Sequence, residues 1–307
     1  MKKSILITDD LHPLLKESLE AHGYAVDDKP AITYNEVLEI IHNYEGLVIN
    51  SKVPADKELL AKASKLKFVC RAGSGLEVID LEYAAQKNII AFNSPEGNRN
   101  AVAEHALGML LNIMNNISKA DKEVKNKQWN REANRGNELS GKTIGLIAYG
   151  NTGQAFAKIL KGFDVNVLAY DKYLSGFENE SSLETIFDQA DVVSIHLPLT
   201  TETLYIIDYQ FLSSFKKPIW LINTSRGKVL RTKDLLRAIN ERKVTAAALD
   251  VMENEKLNSF NTDETEIFEL LIANSQILLT PHIAGWTHES KRKIAEVLLQ
   301  KILAISF

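Results

Sequence analysis

The chain has 307 residues, too many for one ordinary domain and enough for two. Its 36 Lys and Arg against 40 Asp and Glu give a formal net charge of −4, which argues against a nucleic-acid-binding protein. With 45% hydrophobic and 25% charged residues, the composition is that of a folded globular protein. Cys70 is the only cysteine, so the sequence excludes an internal disulfide and a multi-cysteine metal site, and we expect no metal.

No segment of the sequence has the features of a targeting signal. The apolar run after Lys3 ends at Thr8, too early for the core of a signal peptide, and no later run approaches the length of a membrane span. We therefore expect a cytoplasmic protein, with Cys70 as a buried or half-buried thiol, and no membrane or nucleic-acid partner.

In the first third, short apolar runs alternate with amphipathic stretches, a pattern typical of a parallel α/β domain. The predicted helices include residues 35–43 and 54–62. This series predicts one small doubly wound domain that ends near residues 94–97. The predicted strands are residues 5–8, 25–27, 46–50, 68–72 and 89–93.

A long helix is predicted over residues 98–117, and a second α/β series follows a polar stretch around Trp129. Its predicted helices include residues 152–161, 233–241 and 263–272, and a terminal helix over 287–304. Ile294, Val297, Leu298 and Ile302 give that terminal helix a packing face. The series predicts a dinucleotide-binding fold. Its predicted strands are residues 143–148, 165–170, 192–196, 220–224, 246–251 and 277–280.

A glycine turn follows the first strand of this second series. The segment Ala148-Tyr149-Gly150-Asn151-Thr152-Gly153 fits the dinucleotide fingerprint, except that Ala148 replaces the first glycine. The middle glycine lets backbone approach a pyrophosphate, and the last lets the helix pack closely on the strand. The N–H groups at the helix start would then bind phosphate, whereas the ordinary alternative is a β–α turn without a ligand. The methyl group of Ala148 predicts a slightly altered turn.

The next strand ends in an acidic residue, Asp171, roughly 20 residues beyond Gly153, where the ribose-binding acid is expected. Its carboxylate would accept hydrogen bonds from ribose hydroxyls and repel a 2′-phosphate. Asp is also a common turn residue, and Lys172 next to it would weaken the repulsion. The turn and the acid together predict NAD as the cofactor.

Three charged residues follow three further predicted strands: Arg226, Glu255 and His282. In an open parallel sheet, ligands bind outside the carboxyl ends of the strands. Arg provides a planar fork for a carboxylate, His moves protons near neutral pH, and a carboxylate next to His orients it. Taken singly, each has an ordinary explanation as a solvated cation, a loop acid or a cap histidine. Their joint placement favours one site for the reversible reduction of a 2-oxo acid.

Seven short blocks show that the sequence resembles the NAD-dependent D-2-hydroxyacid dehydrogenases over nearly its whole length. Together and in this order, the blocks are far more specific than the glycine turn alone. They are Cys70-Arg71-Ala72-Gly73-Ser74-Gly75, Asn98 through Ala103-Glu104-His105, the turn with Asp171, His196-Leu197-Pro198-Leu199-Thr200, Asn223-Thr224-Ser225-Arg226-Gly227, Ala248-Leu249-Asp250-Val251 and Thr280-Pro281-His282-Ile283-Ala284-Gly285.

The resemblance implies two doubly wound parallel-sheet domains. One is a discontinuous, flavodoxin-like substrate-binding domain of residues 1–97 and 285–307, onto which the terminal helix folds back. The other is a Rossmann NAD-binding domain of residues 98–284. The resemblance also implies a homodimer built on the NAD-binding domain, with residues 98–117 and the Trp129 segment in the interface.

The resemblance further implies a role for each matching residue. Arg226 would bind the substrate carboxylate and carbonyl, His282 would be the acid/base, and Glu255 its partner. Backbone around Ser74 and Gly75 would hold the substrate carboxylate, with Asn50, Lys52 and Arg71 also on the substrate side. The cofactor would be bound by Ser74, Gly150, Asn151, Thr152, Gly153, Asp171, Pro198, Thr203, Thr224, Ser225, Asp250 and Gly285.

Three departures from the family pattern are visible. Ala148 replaces a glycine, and Lys256 stands where the family usually has a proline after its catalytic Glu, which predicts a freer loop around Glu255. Asn50 occupies a position that often holds Arg, which leaves substrate selectivity open.

The specific substrate expected is D-3-phosphoglycerate, oxidised in serine biosynthesis, because the chain resembles short phosphoglycerate dehydrogenases. Lys52 and Arg71 follow predicted strands and would bind the phosphate, although each would also be an ordinary solvated residue. A glyoxylate or hydroxypyruvate reductase is the alternative. Formate dehydrogenase is disfavoured because that group lacks a Glu like Glu255. A non-catalytic NAD-sensing corepressor would not require the three catalytic groups.

Overall fold

Two parallel β-sheets form the framework of the protein. The computed structural model of the chain describes residues 3–305, so residues 1, 2, 306 and 307 of the predicted substrate domain lie outside it. One compact unit holds the described residues up to Arg99 and those from Trp286 onward. The other unit is Asn100–Gly285.

The first unit contains a five-stranded parallel sheet in the order β2-β1-β3-β4-β5, the flavodoxin-like order. Its strands are β1 (Ser4–Ile7), β2 (Ala25–Asp28), β3 (Gly46–Ile49), β4 (Phe68–Arg71) and β5 (Ile90–Phe92). Its helices are α1 (Leu14–Ala21), α2 (Tyr34–Ile40), α3 (Lys57–Lys62), α4 (Leu81–Gln86), the first turn of α5 (Pro95–Asn115) and, from the end of the chain, α12 (His288–Leu303).

Both faces of this sheet are buried, because side chains alternate along each strand. In β1, Ile5 and Ile7 pack on the face that also buries Leu298 and Ile302 of α12, whereas Leu6 packs on the opposite face. Ion pairing of Lys301 with Glu96 further ties α12 to the first turn of α5. Of the predicted packing face, Ile294 is partly buried in this core, and Val297 is half-buried.

The second unit contains a six-stranded parallel sheet in the order β11-β10-β9-β8-β6-β7. A single bridge between Ala169 and Glu180 stands for a further strand outside β7. If this bridge is counted as a strand, the first six strands of the unit in chain order are β6, β7, the bridge, β8, β9 and β10. They follow the Rossmann order 3-2-1-4-5-6, with the switch point between β6 and β8. The strands are β6 (Thr143–Ile147), β7 (Asn166–Tyr170), β8 (Val192–Ile195), β9 (Ile219–Asn223), β10 (Val244–Leu249) and β11 (Ile277–Leu279).

Helices cover both faces of this sheet, with one core cluster on each. The expected fold class, two doubly wound parallel sheets, is therefore confirmed. The helices are the rest of α5, α6 (Ile117–Lys125), α7 (Asn151–Leu160), α8 (Leu183–Gln189), α9 (Tyr209–Ser213), α10 (Thr232–Asn240) and α11 (Thr262–Ala273).

The predicted long helix over residues 98–117 needs correction at both ends. Helix α5 already begins at Pro95, since proline suits the first helical position. It ends at Asn115 because Asn116 takes a left-handed conformation with φ +53°, and α6 starts directly after it. Helix α6 therefore fills most of the interval between α5 and the polar stretch around Trp129. Across residues 3–305, no helix combines the length and apolar composition needed to cross a membrane.

Candidate active site

The glycine turn joins β6 to α7. Ala148 adopts φ +76°, so it takes the left-handed conformation for which glycine is preferred. A Cβ on Gly153 would lie 2.5 Å from the Ala148 carbonyl oxygen, so close helix–strand packing requires that glycine. A Cβ on Gly150 would meet nothing within 4 Å, so the protein's own packing does not require glycine there. That open space lies at the N-terminus of α7, which begins with Asn151 and Thr152.

Asp171, directly after β7, is joined to this turn by hydrogen bonds. Its Oδ2 accepts the backbone N–H of Tyr149 at 2.8 Å, and its Oδ1 accepts those of Tyr173 and Leu174 at 2.9 and 3.0 Å. The neighbouring Lys172 pairs with Glu202. The acid predicted for the ribose is therefore fixed beside the glycine turn, and the cation next to it has its own partner.

The ends of β8 and β9 place more polar groups at this edge of the sheet. Thr224, after β9, is buried, and its Oγ1 has no hydrogen-bond partner among the described residues. Ser225 donates to Asn223 Oδ1 at 2.8 Å. Thr203 donates to the Pro198 carbonyl at 2.6 Å and accepts the N–H of Thr200, so its hydroxyl builds the loop after β8.

Glu255 and His282 come together after β10 and β11. His282 Nδ1 lies 2.8 Å from Glu255 Oε2, and since a carboxylate can only accept, Nδ1 carries the donated hydrogen. The His282 side chain is 47% exposed and the Glu255 side chain 41% exposed, so both remain accessible to a ligand. His282 has φ +55°, and its N–H donates to the carbonyls of Asp250 and Thr280.

Asp250 organises the loop that carries His282. Its side chain is buried, and Oδ1 accepts the Thr280 hydroxyl at 2.6 Å and the Ile283 N–H at 2.9 Å. Oδ2 accepts the Ala284 N–H at 2.8 Å, one residue before Gly285. Asp250 was predicted to bind the cofactor; in the structure its carboxylate makes the hydrogen bonds that hold the His282 loop.

His105, on α5, extends this network and was not predicted as a site residue, although it belongs to one of the family blocks. Its Nε2 lies 3.1 Å from Thr280 Oγ1 and 3.6 Å from Asp250 Oδ1. The only sequence signal was its place in that block, because the approach of α5 to β10 and β11 is a tertiary feature.

Arg226 lies at the end of the neighbouring strand β9 and donates to the Ser225 carbonyl at 2.8 Å. A Cβ on Gly227 would lie 1.8 Å from the Met252 carbonyl oxygen, so only glycine allows the two loops to approach this closely. Because β9, β10 and β11 are adjacent, Arg226, Glu255 and His282 follow three neighbouring strands at one edge of the sheet.

The residues expected on the substrate side belong to the first unit. Lys52 donates to the Pro30 carbonyl at 2.6 Å. Arg71 donates to the Gly75 carbonyl at 2.9 Å and pairs with Glu77 at 3.1 Å. Both cations expected to bind phosphate therefore have intramolecular partners, which their charge and position in the chain do not indicate.

The loop after β4 is also held by hydrogen bonds within this unit. The Ser74 hydroxyl donates to Asn98 Oδ1 at 2.6 Å, and the Ser74 carbonyl accepts the amide of Asn93. Asn50 follows β3, and its backbone N–H donates to Asp9. These bonds shape the backbone at Ser74 and Gly75. Among the described residues, no cluster of His, Cys, Asp or Glu is arranged to hold a metal ion.

Comparison with known proteins identifies the family. Residues 107–284 match the D-isomer specific 2-hydroxyacid dehydrogenase NAD-binding domain. A hydroxypyruvate reductase of Thermotoga maritima is 34% identical over 271 residues, covering 87% of each chain. A D-3-phosphoglycerate dehydrogenase of Archaeoglobus fulgidus is 32% identical over 305 residues, covering 97% of this chain and 56% of that relative. The chain thus spans little more than half the length of that relative.

Among solved structures, a D-lactate dehydrogenase from Aquifex aeolicus, complexed with NAD and lactic acid, matches with a TM-score of 0.83. It is 26% identical and covers 98% of this chain and 96% of its own. The chain therefore belongs to the D-isomer specific 2-hydroxyacid dehydrogenase family, whose members are NAD-dependent oxidoreductases acting on CH–OH donors. Its cofactor is NAD.

Three features of this structure fit a bound dinucleotide. Open space at Gly150 adjoins the start of α7, whose first N–H groups lack acceptors within the helix. Thr224 offers a buried hydroxyl with no hydrogen-bond partner within residues 3–305, and a bound polar ligand would supply one. Asp171 offers a fixed carboxylate. The residues of the second unit are thus suited to the family's cofactor.

Proposed function

We propose that this chain is a D-2-hydroxyacid dehydrogenase in which His282 moves the proton and Glu255 holds His282 in place. The observation that carries the proposal is the 2.8 Å hydrogen bond between His282 Nδ1 and Glu255 Oε2 at the ends of adjacent strands. The bound cofactor would supply the redox chemistry at the substrate C2, as the hydride acceptor in its NAD⁺ form and as the hydride donor in its NADH form. A non-catalytic NAD sensor would need no such pair.

The proposed roles of His282 and Glu255 follow from which ring nitrogen of His282 the hydrogen bond leaves available. Because Nδ1 is engaged by Glu255, Nε2 is the nitrogen that faces substrate: it takes the hydroxyl proton in oxidation and returns it in reduction. The Glu255 charge stabilises the imidazolium formed in oxidation. Arg226 would bind the substrate carboxylate through its planar fork and stabilise charge on the carbonyl oxygen.

Asp171 supports a preference for NAD over NADP, since a 2′-phosphate would meet its carboxylate. The Lys172–Glu202 pair leaves Lys172 partly neutralised, so it opposes this effect less than the sequence suggested. We expect kcat/KM for NADH to exceed that for NADPH about ten- to hundredfold, and Asp171→Ala to narrow the ratio. Equal values for the two cofactors in the unaltered chain would contradict this.

For the substrate, we propose D-3-phosphoglycerate, which would place the enzyme in serine biosynthesis. Support comes from the similarity to the phosphoglycerate dehydrogenase, which extends over 97% of this chain. Phosphate binding would require Lys52 and Arg71 to exchange their present partners, Pro30 and Glu77, for the ligand.

That requirement favours a second candidate, a hydroxypyruvate or glyoxylate reductase, which needs no phosphate-binding cation. The hydroxypyruvate reductase of Thermotoga maritima also matches this chain over 87% of both lengths. In this case Lys52 and Arg71 keep their intramolecular partners during catalysis.

One panel separates the two candidates: NADH oxidation with 3-phosphohydroxypyruvate, hydroxypyruvate, glyoxylate and pyruvate. Phosphoglycerate dehydrogenase predicts at least about a tenfold higher kcat/KM with the phosphorylated acid, equivalent to about 1.4 kcal/mol. Arg71→Gln and Lys52→Gln should then reduce that advantage selectively. If the phosphorylated acid has no higher kcat/KM, the result supports the hydroxypyruvate or glyoxylate reductase. If none of the four acids is reduced, the result supports the non-catalytic NAD sensor.

We also propose a homodimer formed through the NAD-binding unit. Trp129, Ile117 and Val124 are 78%, 54% and 48% exposed, which leaves large apolar side chains on and just after α6 uncovered in one chain. Light scattering should give twice the monomer mass, and Trp129→Ser should shift the equilibrium towards monomer. A monomer at all concentrations would contradict the proposal.

A further inference from the structure

The loop that carries Glu255 is restrained mainly by hydrogen bonds. Glu255 is 41% exposed, so packing does not immobilise its side chain. Its segment follows β10 and precedes a short 3₁₀ turn at Leu257–Ser259. Nevertheless its carboxylate must stay within hydrogen-bond reach of His282. Hydrogen bonds made by its two preceding residues provide the restraint.

Asn254 links this loop to the start of α11. Its side-chain Nδ2 donates to Glu264 Oε1 at 2.9 Å, and its Oδ1 accepts the backbone N–H of Lys256 at 3.0 Å. The other oxygen of Glu264 accepts the N–H of Asn261 and thereby caps α11. One half-buried amide thus bridges the residue after Glu255 to the first turn of a helix.

The Lys256 N–H matters in particular. A proline at this position would have no N–H, and its ring would restrict the backbone directly. Here the hydrogen bond to Asn254 restrains the same backbone position instead. The Ser259 hydroxyl and N–H both donate to the Lys256 carbonyl at 2.8 Å and close the turn on its other side.

Glu253 links the same loop to a second helix. Its Oε1 accepts the N–H of Thr232 at 2.7 Å, at the start of α10, where Arg231 at the N-cap makes no side-chain cap. An acidic group at a helix N-terminus is stabilised by the helix dipole. The two residues before Glu255 are therefore tied to the first turns of two different helices.

We propose that Asn254 and Glu253 are positioning residues that hold the Glu255 carboxylate against His282, with Asn254 acting from α11 and Glu253 from α10. This inference rests on the proposed acid/base function of the pair. Neither residue touches the reacting atoms. Their effect on turnover must therefore pass through Glu255, and this sets them apart from residues that only stabilise the fold.

The test is a double-mutant cycle between Asn254→Ala and Glu255→Gln, measured with the 2-oxo acid of the panel that gives the highest kcat/KM. Asn254→Ala alone should lower kcat about tenfold, because small displacements of a catalytic group are costly, while the NADH Kd stays within about twofold. In the Glu255→Gln background, Asn254→Ala should have almost no further effect on kcat.

A matched control and a cofactor-free readout complete the design. Asn258 is exposed in the same loop and makes no side-chain hydrogen bond among the described residues, so Asn258→Ala should leave kcat unchanged. In the NAD-free protein, Asn254→Ala should accelerate amide hydrogen exchange at Lys256. Glu253→Ala should lower kcat, and Glu253→Gln should restore it, since an amide oxygen still accepts the Thr232 N–H.

The outcomes separate this inference from the function on which it rests. If Glu255→Gln lowers kcat but Asn254→Ala does not, the positioning role is wrong and the acid/base proposal stands. Equal losses from Asn254→Ala in both backgrounds would also overturn it, because the effect would not pass through Glu255. An unchanged kcat in Glu255→Gln would overturn the part of the acid/base proposal that concerns Glu255, and the positioning role with it.

Discussion

Two histidines at the carboxyl edge of one sheet differ in almost every physical respect. His282 follows β11, is 47% exposed and bonds to Glu255. His196 directly follows β8 and is buried, with its ring 5.7 Å from that of Phe156. Its Nε2 has no hydrogen-bond partner among the described residues, and burial lowers its pKa to about 4.

The comparison shows that position at a strand end does not by itself make a histidine useful for proton transfer. His196 stays neutral throughout the physiological range, because no carboxylate compensates for the loss of water around it. His282 keeps access to water and has an acidic partner. The surroundings, rather than the residue type or the strand-end position, therefore decide which histidine carries the proposed chemistry.

The largest expected effect is on turnover. His282→Ala removes the group that moves the proton and should lower kcat about 10²- to 10⁴-fold. The NADH Kd, from fluorescence titration, should stay nearly unchanged, because His282 holds the proton rather than the dinucleotide. His42→Ala, at an exposed position of the first unit, is the control. A loss below tenfold would remove His282 from the mechanism.

The second effect concerns stability rather than activity. Because the pKa of His196 is about 4 when folded and near 6.5 when unfolded, the unfolded chain binds more protons between those values. Stability should therefore fall as the pH drops from 6.5 towards 4, and His196 should account for about 2 kcal/mol at pH 5 relative to neutral pH.

Urea unfolding at pH 7.5 and pH 5 measures this contribution. His196→Gln should reduce the loss of stability between the two pH values by about that amount. His42→Gln, which replaces an exposed histidine, should not. Identical pH dependence in all three proteins would show that His196 is not a buried neutral group in solution.

Removing the partner of His282 should make the two histidines more alike. Glu255→Gln keeps a hydrogen-bond acceptor but removes the charge that stabilises the imidazolium. We expect kcat for carbonyl reduction to fall about tenfold, because the charge-assisted hydrogen bond between His282 and Glu255 becomes a weaker neutral one. An unchanged kcat would mean that the carboxylate charge has no part in proton transfer.

The smallest effect lies at the turn next to His196, where a Cβ on Gly153 would approach the His196 ring to 3.7 Å. The left-handed conformation destabilises an alanine by about 1–2 kcal/mol, and glycine avoids this strain. Glycine also loses more conformational entropy on folding, which offsets about 0.5–1 kcal/mol of the gain. Ala148→Gly should thus stabilise the protein by about 0.5–1 kcal/mol, equally at pH 7.5 and pH 5. Ala155→Gly, inside α7, should instead destabilise it by about 1 kcal/mol. Destabilisation by Ala148→Gly would show that its φ is not strained.

Much of the fold could be read from sequence pattern. All eleven predicted strands occur, usually with ends shifted by one or two residues, because the last residue of a predicted run often leaves the ladder to enter a loop. The helix that starts at Pro95 and stops before Asn116 is a larger deviation, since apolar periodicity does not mark a proline start or a left-handed stop. Boundaries depend on single residues, whereas the strands depend on runs of apolar residues.

The site was predictable only in part, and Lys52, Arg71 and Asn254 show why. Lys52 and Arg71 were assigned to phosphate because of their charge and place in the chain, yet Pro30 and Glu77 are their partners. No sequence motif marked Asn254, since its hydrogen bond to Glu264 depends on where the first turn of α11 lies. Side-chain partners distant in sequence are set by packing, which no local motif encodes.

By itself, the sequence determined the two parallel sheets, the glycine turn with Asp171, and the presence of Arg226, Glu255 and His282 after three strands. These depend on local pattern and on the rule that parallel strands end at one edge. The resemblance already implied that Glu255 pairs with His282, and the structure places the two side chains 2.8 Å apart. Only the tertiary structure decided that Asp250 holds the His282 loop, and that His196 is buried with no hydrogen-bond partner for its Nε2 among the described residues. Each of these depends on desolvation and on distances between loops of different strands, and both arise only when the sheet and its covering helices have packed.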